Sequence, residues 1–314
     1  MLATAPASTA VIHTFEELRA AAGTGRPKRL GIVAAEDDVA LLAAAGVADL
    51  GLAVPVLIGD ENKTHHKIRE LGVEILLRES IFIGAADAST AAATATRMTS
   101  DGMLDLLLKG HLRTDELLRA VLDKQAGLRT GRLLSDVMLY EDTLSGQKRL
   151  VGITDGGLNV APSLEQKKQI LLNALDVMRV LGIKRPKMAI MSATEVVTES
   201  LPSTMDARTL TEMALLGEFG DADVYGPLAL DNALLESAAK AKGIRSPVAG
   251  HADCMVVPNI ESGNLLGKAV KYPGGSQCAH VVLGAKVPIL IPSRVESVDD
   301  KINSVFLGVL VHGR

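Results

Sequence analysis

Short apolar runs alternate with helix-length segments along the whole chain, and this alternation constrains the fold more than any other feature. Runs of strand length occupy residues 28–34, 55–58, 104–108, 150–154 and 187–191, among others. Segments with helical spacing separate them. Strands that alternate with helices of this length predict βαβ units and a largely parallel sheet, which is an α/β fold.

The length of 314 residues is enough for about two such domains. The alternation restarts after residues 154–162, so we predict a domain boundary there, and we expect a final helix at 298–311 to pack back on the first half. The prediction assigns residues 1–154 plus 294–314 to the first α/β domain and residues 155–293 to the second. Within the first domain, residues 73–77 are predicted as the third strand.

Composition excludes several classes of function. The formal net charge is −4 and aromatic residues are scarce, which argues against a nucleic-acid partner. Two cysteines are too few for a disulfide framework. The first residues lack the pattern of a signal peptide, and Asp49 and Pro55 interrupt the longest apolar segment, so no membrane span is predicted. We expect a cytoplasmic enzyme or binding protein.

Familiar nucleotide and hydrolase motifs are absent from the sequence. No G-x-G-x-x-G follows a strand, and GNLLGKA at 263–269 has the wrong spacing for a P-loop. No G-x-S-x-G is present. The adjacent His65 and His66 lie on a polar helix without a nearby carboxylate pair, so no metal site is predicted.

Polar residues gather where apolar runs end in the last third of the chain. The chain leaves the buried sheet of an α/β fold and reaches the surface at such strand ends, and ligands usually bind there. The candidates in this region are Asn264, Lys268, Ser293, Arg294 and Asp300.

The segment SRVESVDD, residues 293–300, supports two interpretations. A hydroxyl, a guanidinium and a carboxylate within eight residues suit an anionic substrate. In this interpretation Arg294 binds phosphate, Ser293 hydrogen-bonds to a reacting oxygen or sulfur, and Asp300 accepts or donates a proton. Alternatively, Ser297 and Asp300 have the spacing of a helix capping box, in which case Asp300 only caps a helix.

A second candidate is LLLKGHLRTDELLRAVL, residues 106–122. Lys109 and Gly110 lie at the C-terminal end of a predicted strand. Thr114 begins a predicted helix, and Arg119 lies further along that helix. A strand end, a glycine loop and a helix N-terminus form a typical anion site. The alternative interpretation is an ordinary capped helix with solvated charges.

These segments together resemble the phosphate acetyl/butyryltransferase family over nearly the whole chain, and more closely its phosphate butyryltransferase branch. The pieces that carry the resemblance are LLLKGHLRT, ITDGGLNVAPSLEQK, PSTMDARTLTEMA, VPNIESGNLLGKA and GAKVPILIPSR. Asn259, Ser262, Gly267 and Asp136 depart from residues that are common in the family, and the change at Gly267 bears on acyl-chain preference.

The resemblance implies two α/β/α domains with mostly parallel sheets and an interdomain cleft, an isocitrate/isopropylmalate dehydrogenase-like architecture, in a homodimer or dimer-based oligomer. It implies the reaction of acyl-CoA with inorganic phosphate to give acyl phosphate and CoA. Ser293 and Arg294 match the family's serine–arginine pair, and Asp300 matches an acid that acts on the CoA thiol. Lys109, Thr114 and Arg119 match its anion-side loop and helix.

The mechanism expected from the resemblance is direct attack by a thiolate in a ternary complex, without a metal or other cofactor beyond CoA as a substrate. Two alternatives stay open from sequence. One is a non-catalytic CoA-binding homologue, and the other is a metal- and NAD-dependent dehydrogenase of similar architecture.

Overall fold

The chain divides into two compact units. The computed structural model describes residues 10–23, 25–125, 127–144, 146, 148–293 and 295–313. Unit 1 comprises Met1–Ala21 and Ser135–Ser276, and unit 2 comprises Ala22–Leu134 and Gln277–Arg314. This division differs from the predicted one, because it assigns residues 135–154 to the same unit as the middle of the chain.

The helices are α1 (Phe15–Ala22), α2 (Asp38–Asp49), α3 (Glu61–Glu70), α4 (Leu76–Glu79), α5 (Ala88–Ser100), α6 (Thr114–Val121), α7 (Leu164–Val180), α8 (Pro202–Leu215), α9 (Leu230–Leu234), α10 (Glu236–Ala241), α11 (Ile260–Lys271) and α12 (Val298–His312). The strands are β1 (Lys28–Val33), β2 (Ala53–Gly59), β3 (Ile81–Gly84), β4 (Leu106–Lys109), β5 (Ser135–Asp142), β6 (Arg149–Thr154), β7 (Lys187–Met191), β8 (Asp223–Leu228), β9 (Cys254–Val256), β10 (Cys278–Leu283) and β11 (Ile289–Leu290).

Unit 2 contains a mostly parallel sheet in the order β3-β2-β1-β4-β11-β10. The pairs from β3 to β11 are parallel, and β10 runs antiparallel to β11. Helix α12 packs on β10 and on α2, and α5 packs on β1 and α6. The central strand β4 is buried throughout, and β1 is buried from Leu30 onwards, as expected of parallel strands covered on both faces.

Unit 1 contains a second mostly parallel arrangement in the order β5-β6-β9-β7-β8. Among the described strands of this unit, β5 and β6 pair in the antiparallel sense and the other pairs are parallel. Strand β6 belongs here because it pairs with β9, and α7 packs on β5, β6 and β9. The α/β fold with mostly parallel strands, predicted from the alternation, is confirmed.

The core of both units is aliphatic. Aromatic side chains make up 2% of the chain, so alanine, valine, leucine and isoleucine fill the interior. Among the described residues, every helix is too short or too polar to cross a bilayer.

The predicted third strand at residues 73–77 is wrong. Those residues form a turn that leads into α4, and the true third strand is β3 at Ile81–Gly84. Leu76 is fully buried while Leu77 is 37% exposed, which suits a short helix rather than a strand with a continuous apolar face. Strand β3 has the apolar sequence IFIG, but it pairs with β2 alone, and its residues are exposed or half-buried, unlike those of the central strands.

Candidate active site

A buried lysine lies where β4 ends in unit 2. Lys109 pairs in register with Val33 at the end of β1 and is only 4% exposed. Its Nζ donates to the carbonyl oxygen of Leu112 at 3.5 Å. The structure therefore places this cation at a strand end, as the sequence predicted.

A second buried lysine, Lys301 of α12, was missed from sequence. It is 2% exposed and its Nζ lies 3.3 Å from Oδ1 of Asp37, the N-cap of α2. Burial by itself would raise the pKa of Asp37, yet Lys301, the Ala40 N–H and Lys109 together hold that pKa below its ordinary value. Two buried lysines therefore act on this one carboxylate, and the cavity that Asp37 lines is also lined by Glu36, Asp38 and Asp87.

Gly110 has a structural reason to be glycine. Its N–H donates to the carbonyl oxygen of Val33 at 2.9 Å, so this donor is already used within the protein. A Cβ atom at Gly110 would lie 2.2 Å from the carbonyl oxygen of Ala34, a distance at which backbone atoms overlap. Ala34 itself has a positive φ of 55°, which is unusual for a residue other than glycine. The backbone segments at Gly110 and Ala34 lie so close together that position 110 requires glycine, whether or not an anion binds nearby.

Helix α6 begins at Thr114, as predicted, and ends at Val121. The side chain of Arg119 is 76% exposed and lies 3.4 Å from Asp115. It lines a cavity of about 540 Å³ between α5 and α6. This cavity is lined by the cations Arg97 and Arg119 and by the acids Glu116 and Asp123, so it is not a purely cationic surface.

The segment that contains the predicted serine–arginine pair lies between β11 and α12. Ser293 is half-buried, and its carbonyl oxygen accepts the N–H of Glu296 at 3.2 Å. Arg294 lies outside the described residues, so its role stays a prediction.

Asp300 is the N3 residue of α12 and is fully buried. Its Oδ2 accepts from the Ser297 hydroxyl at 2.6 Å and from the Ser297 N–H at 3.1 Å. Its Oδ1 accepts the N–H of Cys278 on β10 at 2.9 Å. The capping box that the sequence suggested is therefore present, and the same carboxylate also ties α12 to β10. Both oxygens are engaged with the protein itself.

Asn264 and Lys268 lie in unit 1, on exposed turns of α11. Asn264 Nδ2 donates to the carbonyl oxygen of Gly156 at 3.4 Å. A Cβ atom at Gly156 would lie 2.8 Å from the backbone of Gly263, so two glycines let the first turn of α11 approach the loop that follows β6. The predicted site residues thus belong to two units, with Lys109, Gly110, Thr114, Arg119, Ser293 and Asp300 in unit 2.

Comparison with known proteins decides the family. The family described as phosphate acetyl/butaryl transferase matches residues 80–309. The phosphate acetyltransferase of Rhizobium meliloti is 38% identical over 300 residues, which cover 96% of this chain and 94% of that protein. The chain belongs to the phosphate acetyl/butyryl transferase family.

Both branches of the family are represented among its relatives. The phosphate butyryltransferase of Clostridium acetobutylicum is 34% identical over 303 residues, 96% of this chain and 99% of that protein. A branched-chain phosphotransacylase from Enterococcus faecalis V583 has a solved structure that superposes with a TM-score of 0.80 at 26% identity, covering 91% of this chain and 99% of that one. The family prediction is confirmed, and these identities do not favour the butyryl branch over the acetyl branch.

Asp136 on β5 contributes to a buried pair of carboxylates in unit 1. Asp136 is 4% exposed and Asp155, directly after β6, is 2% exposed. Asp155 accepts the N–H groups of Gly157 and Leu158 at 2.8 and 2.9 Å and the Asn159 side-chain amide at 2.5 Å. Burial, followed by the charge of Asp136, raises the pKa of Asp155 despite these donors.

Gly267 packs inward in this phosphate acetyl/butyryl transferase. A Cβ atom there would lie 2.9 Å from Sδ of Met138 on β5. A larger residue at position 267 would press on β5, and Met138 is a flexible side chain that can give way.

A cavity of about 660 Å³ lies at the strand ends of unit 1. Its apolar lining includes Met191 and Leu266, and its polar lining includes Asn259, Lys167 and Asp206. The Nζ of Lys167 lies 2.6 Å from Oδ2 of Asp206, and the lysine side chain is only 8% exposed. Sequence reasoning missed this ion pair because its members are 39 residues apart on different helices. The cavity sits where ligands bind in open α/β sheets.

Proposed function

We propose that this family member transfers a short acyl group between CoA and inorganic phosphate. The observation that carries this function is similarity to phosphate acetyltransferases and butyryltransferases over about the whole chain, at 38% and 34% identity. In the direction of thioester formation, the CoA sulfur bonds to the acyl carbon and the bond from that carbon to the phosphate oxygen breaks. The thiol proton ends on the departing phosphate, which leaves as HPO₄²⁻.

The protein's part in this reaction is to bring the thiol and the acyl phosphate together and to stabilise the leaving phosphate. A free thiol has a pKa of about 8.5, so loss of its proton must accompany attack. We assign phosphate neutralisation to Arg294 and a hydrogen bond to the reacting oxygen to Ser293. A guanidinium binds phosphate in a bidentate way and stabilises charge that develops as the bond breaks. Among the described residues, the position of Lys109 at the end of β4 supports an anionic ligand at the strand ends of unit 2.

We propose that Asp300 positions the Ser293–Arg294 segment and is not the base. Its three hydrogen bonds from Ser297 and Cys278 favour a charged, fixed carboxylate. A carboxylate that must accept a proton from CoA needs an oxygen that faces the substrate. The base role expected from the resemblance is the competing proposal.

The reaction is tested by following thioester formation from CoA and acetyl, propionyl or butyryl phosphate. Arg294→Lys keeps the positive charge but loses the bidentate fork, so kcat should fall by about 100-fold. Arg78→Lys, at an exposed position, is the matched control and should behave as the native protein. CoA binding without turnover of any of the three substrates would favour the non-catalytic homologue instead.

The two roles of Asp300 are separated by comparing Asp300→Asn with Ser297→Ala. If Asp300 positions the loop, both variants lower kcat by similar factors and leave the pH profile of kcat unchanged. If Asp300 is the base, only Asp300→Asn removes the acidic limb of that profile.

We also propose a dehydrogenase-like arrangement with a cleft, a homodimeric state and a cytoplasmic location, as the family resemblance implies. The dehydrogenase activity itself is not favoured, since the named relatives above are acyltransferases. Light scattering coupled to gel filtration tests the dimer directly, and a mass of one chain would contradict it.

A further inference from the structure

Three side chains of different chemistry lie close together in the C-terminal segment of unit 2, Gln277–Arg314. Cys278 and His280 are two residues apart on β10, so their side chains project from the same face of the strand. Glu296 lies in the segment just before α12. One ligand atom from each, the Cys278 sulfur, an imidazole nitrogen of His280 and a carboxylate oxygen of Glu296, all lie within 4.8 Å of one another.

The Glu296 carboxylate is incompletely satisfied. Its side chain is 6% exposed, and its Oε1 lies 3.4 Å from Nε2 of His280. Its Oε2 is buried and has no hydrogen-bond partner among the residues that the structure describes. An unpaired buried carboxylate oxygen carries a free-energy cost that a further cationic partner removes.

A simple ion pair explains only part of this arrangement. A protonated His280 beside Glu296 accounts for one nitrogen and one oxygen, but it leaves Oε2 unsatisfied. The Cys278 sulfur lies in the same cluster, beside the same imidazole. Burial raises the pKa of the Cys278 thiol, and a hydrogen bond from His280 opposes that rise.

We propose that Cys278, His280 and Glu296 form a binding site for a thiophilic divalent cation, with Zn²⁺ as the best match. Sulfur, imidazole nitrogen and carboxylate oxygen are the donor set that zinc takes in proteins, at about 2.3 Å for sulfur and about 2.0 Å for nitrogen. These bond lengths hold ligand atoms roughly 3 to 4 Å apart, so only small side-chain rotations are required. A thiolate and a carboxylate together balance the charge of the ion.

The ion has a route in and a structural consequence. The His280 side chain is 15% exposed, so one edge of the cluster reaches solvent. Bound zinc joins β10 to the segment that carries Ser293, because the Glu296 N–H donates to the Ser293 carbonyl oxygen. The site therefore fixes the loop before α12 to β10, next to the segment proposed above to act in group transfer.

The direct test is titration of chelator-treated, reduced protein with Co²⁺, which replaces zinc and absorbs light when a thiolate binds it. We expect a sulfur-to-cobalt band that saturates at one ion per chain and that Zn²⁺ abolishes. Cys278→Ser should lose the band. Cys254→Ser is the matched control, since Cys254 is also fully buried and lies on β9 of unit 1, and it should keep the band.

Affinity and stability provide a second measurement that does not depend on removing the thiol. His280→Asn and Glu296→Gln should each weaken Zn²⁺ binding by more than about 10-fold, since loss of even an outer-shell partner costs 10- to 100-fold. Zinc should raise the melting temperature of the native protein and of Cys254→Ser, but not that of Glu296→Gln. Native protein without a saturable cobalt band, or a band that survives in Cys278→Ser, would overturn the proposal.

Discussion

The pKa of an aspartate is shifted in opposite directions in the two units. In unit 2, Asp105 lies beside the Arg29 guanidinium, whose hydrogen bonds lower the pKa of Asp105 to about 2 against the opposing effect of burial. The Asp105 side chain is 16% exposed. In unit 1, Asp155 is 2% exposed and accepts several hydrogen bonds, yet its pKa is raised, because burial, followed by the charge of Asp136, outweighs the donors. The number of donors alone therefore does not decide the direction of the shift, which depends on depth of burial and on the sign of the neighbouring charge.

Asp300 extends this comparison within unit 2. Its neighbours are backbone and hydroxyl donors in the first turn of α12, where the helix dipole favours negative charge. We therefore expect Asp300 to stabilise unit 2 in its charged form.

The largest effect is expected from Asp300→Asn, which removes a buried charge with three donors aimed at it. The free energy of unfolding should fall by about 3 kcal/mol, measured by urea denaturation. Asp299→Asn, an exposed neighbour in the same helical turn, is the matched control and should change stability by less than about 0.5 kcal/mol. Equal losses in the two variants would show that burial of Asp300 contributes nothing.

Asp105→Asn should lower the free energy of unfolding by about 1 to 2 kcal/mol. The loss is no larger because Arg29 is partly exposed, so solvent screens part of its attraction to Asp105. The pKa of Asp105 in the folded protein lies below its ordinary value of 3.8. Its stabilisation is therefore present above about pH 4 and is lost as the pH falls from about 4 to about 2. Unfolding curves across this range should lose that pH dependence in the variant, whereas Asp115→Asn, in an exposed pair, should retain it.

Asp136→Asn should stabilise the protein at pH 7.5 by about 1 kcal/mol, since it removes a like charge from Asp155. A carboxyl group whose pKa is raised on folding contributes stability below its unfolded pKa and loses it as the pH rises through the folded value. The native protein should therefore lose stability with rising pH through this group, and the variant should lose less. An unchanged pH dependence would mean that Asp136 does not set the charge of Asp155.

Arg119→Gln should have the smallest effect on stability, below about 0.5 kcal/mol, because its pair with Asp115 is solvent-exposed. If Arg119 contacts the anionic substrate, KM for CoA or acyl phosphate should rise by about tenfold, which corresponds to about 1.4 kcal/mol. Arg78→Gln serves as the control. Unchanged KM values for both substrates would remove Arg119 from the predicted binding residues.

The sequence predicted the elements that have a strong local pattern. Strands β1, β4 and β7 follow from short apolar runs, and α12 follows from an apolar segment behind a Ser297–Asp300 capping pair. Strand β3 has an apolar sequence, IFIG, but it was missed because the preceding apolar run at 73–77 had been assigned to the third strand. The predicted strand at 73–77 was wrong because a short apolar run fits one helical turn as well as a strand.

Local sequence alone predicted the family, the α/β alternation, the strand-end position of Lys109 and the capping spacing of Asp300, since each depends on residues close together in the chain. Only the tertiary structure decided which partners meet across the chain: Lys301 with Asp37, Asp155 with Asp136, Lys167 with Asp206, and Glu296 with Cys278 and His280. These contacts join residues far apart in sequence, and the charge and hydrogen bonding of a buried group depend on such neighbours rather than on its own position in a motif.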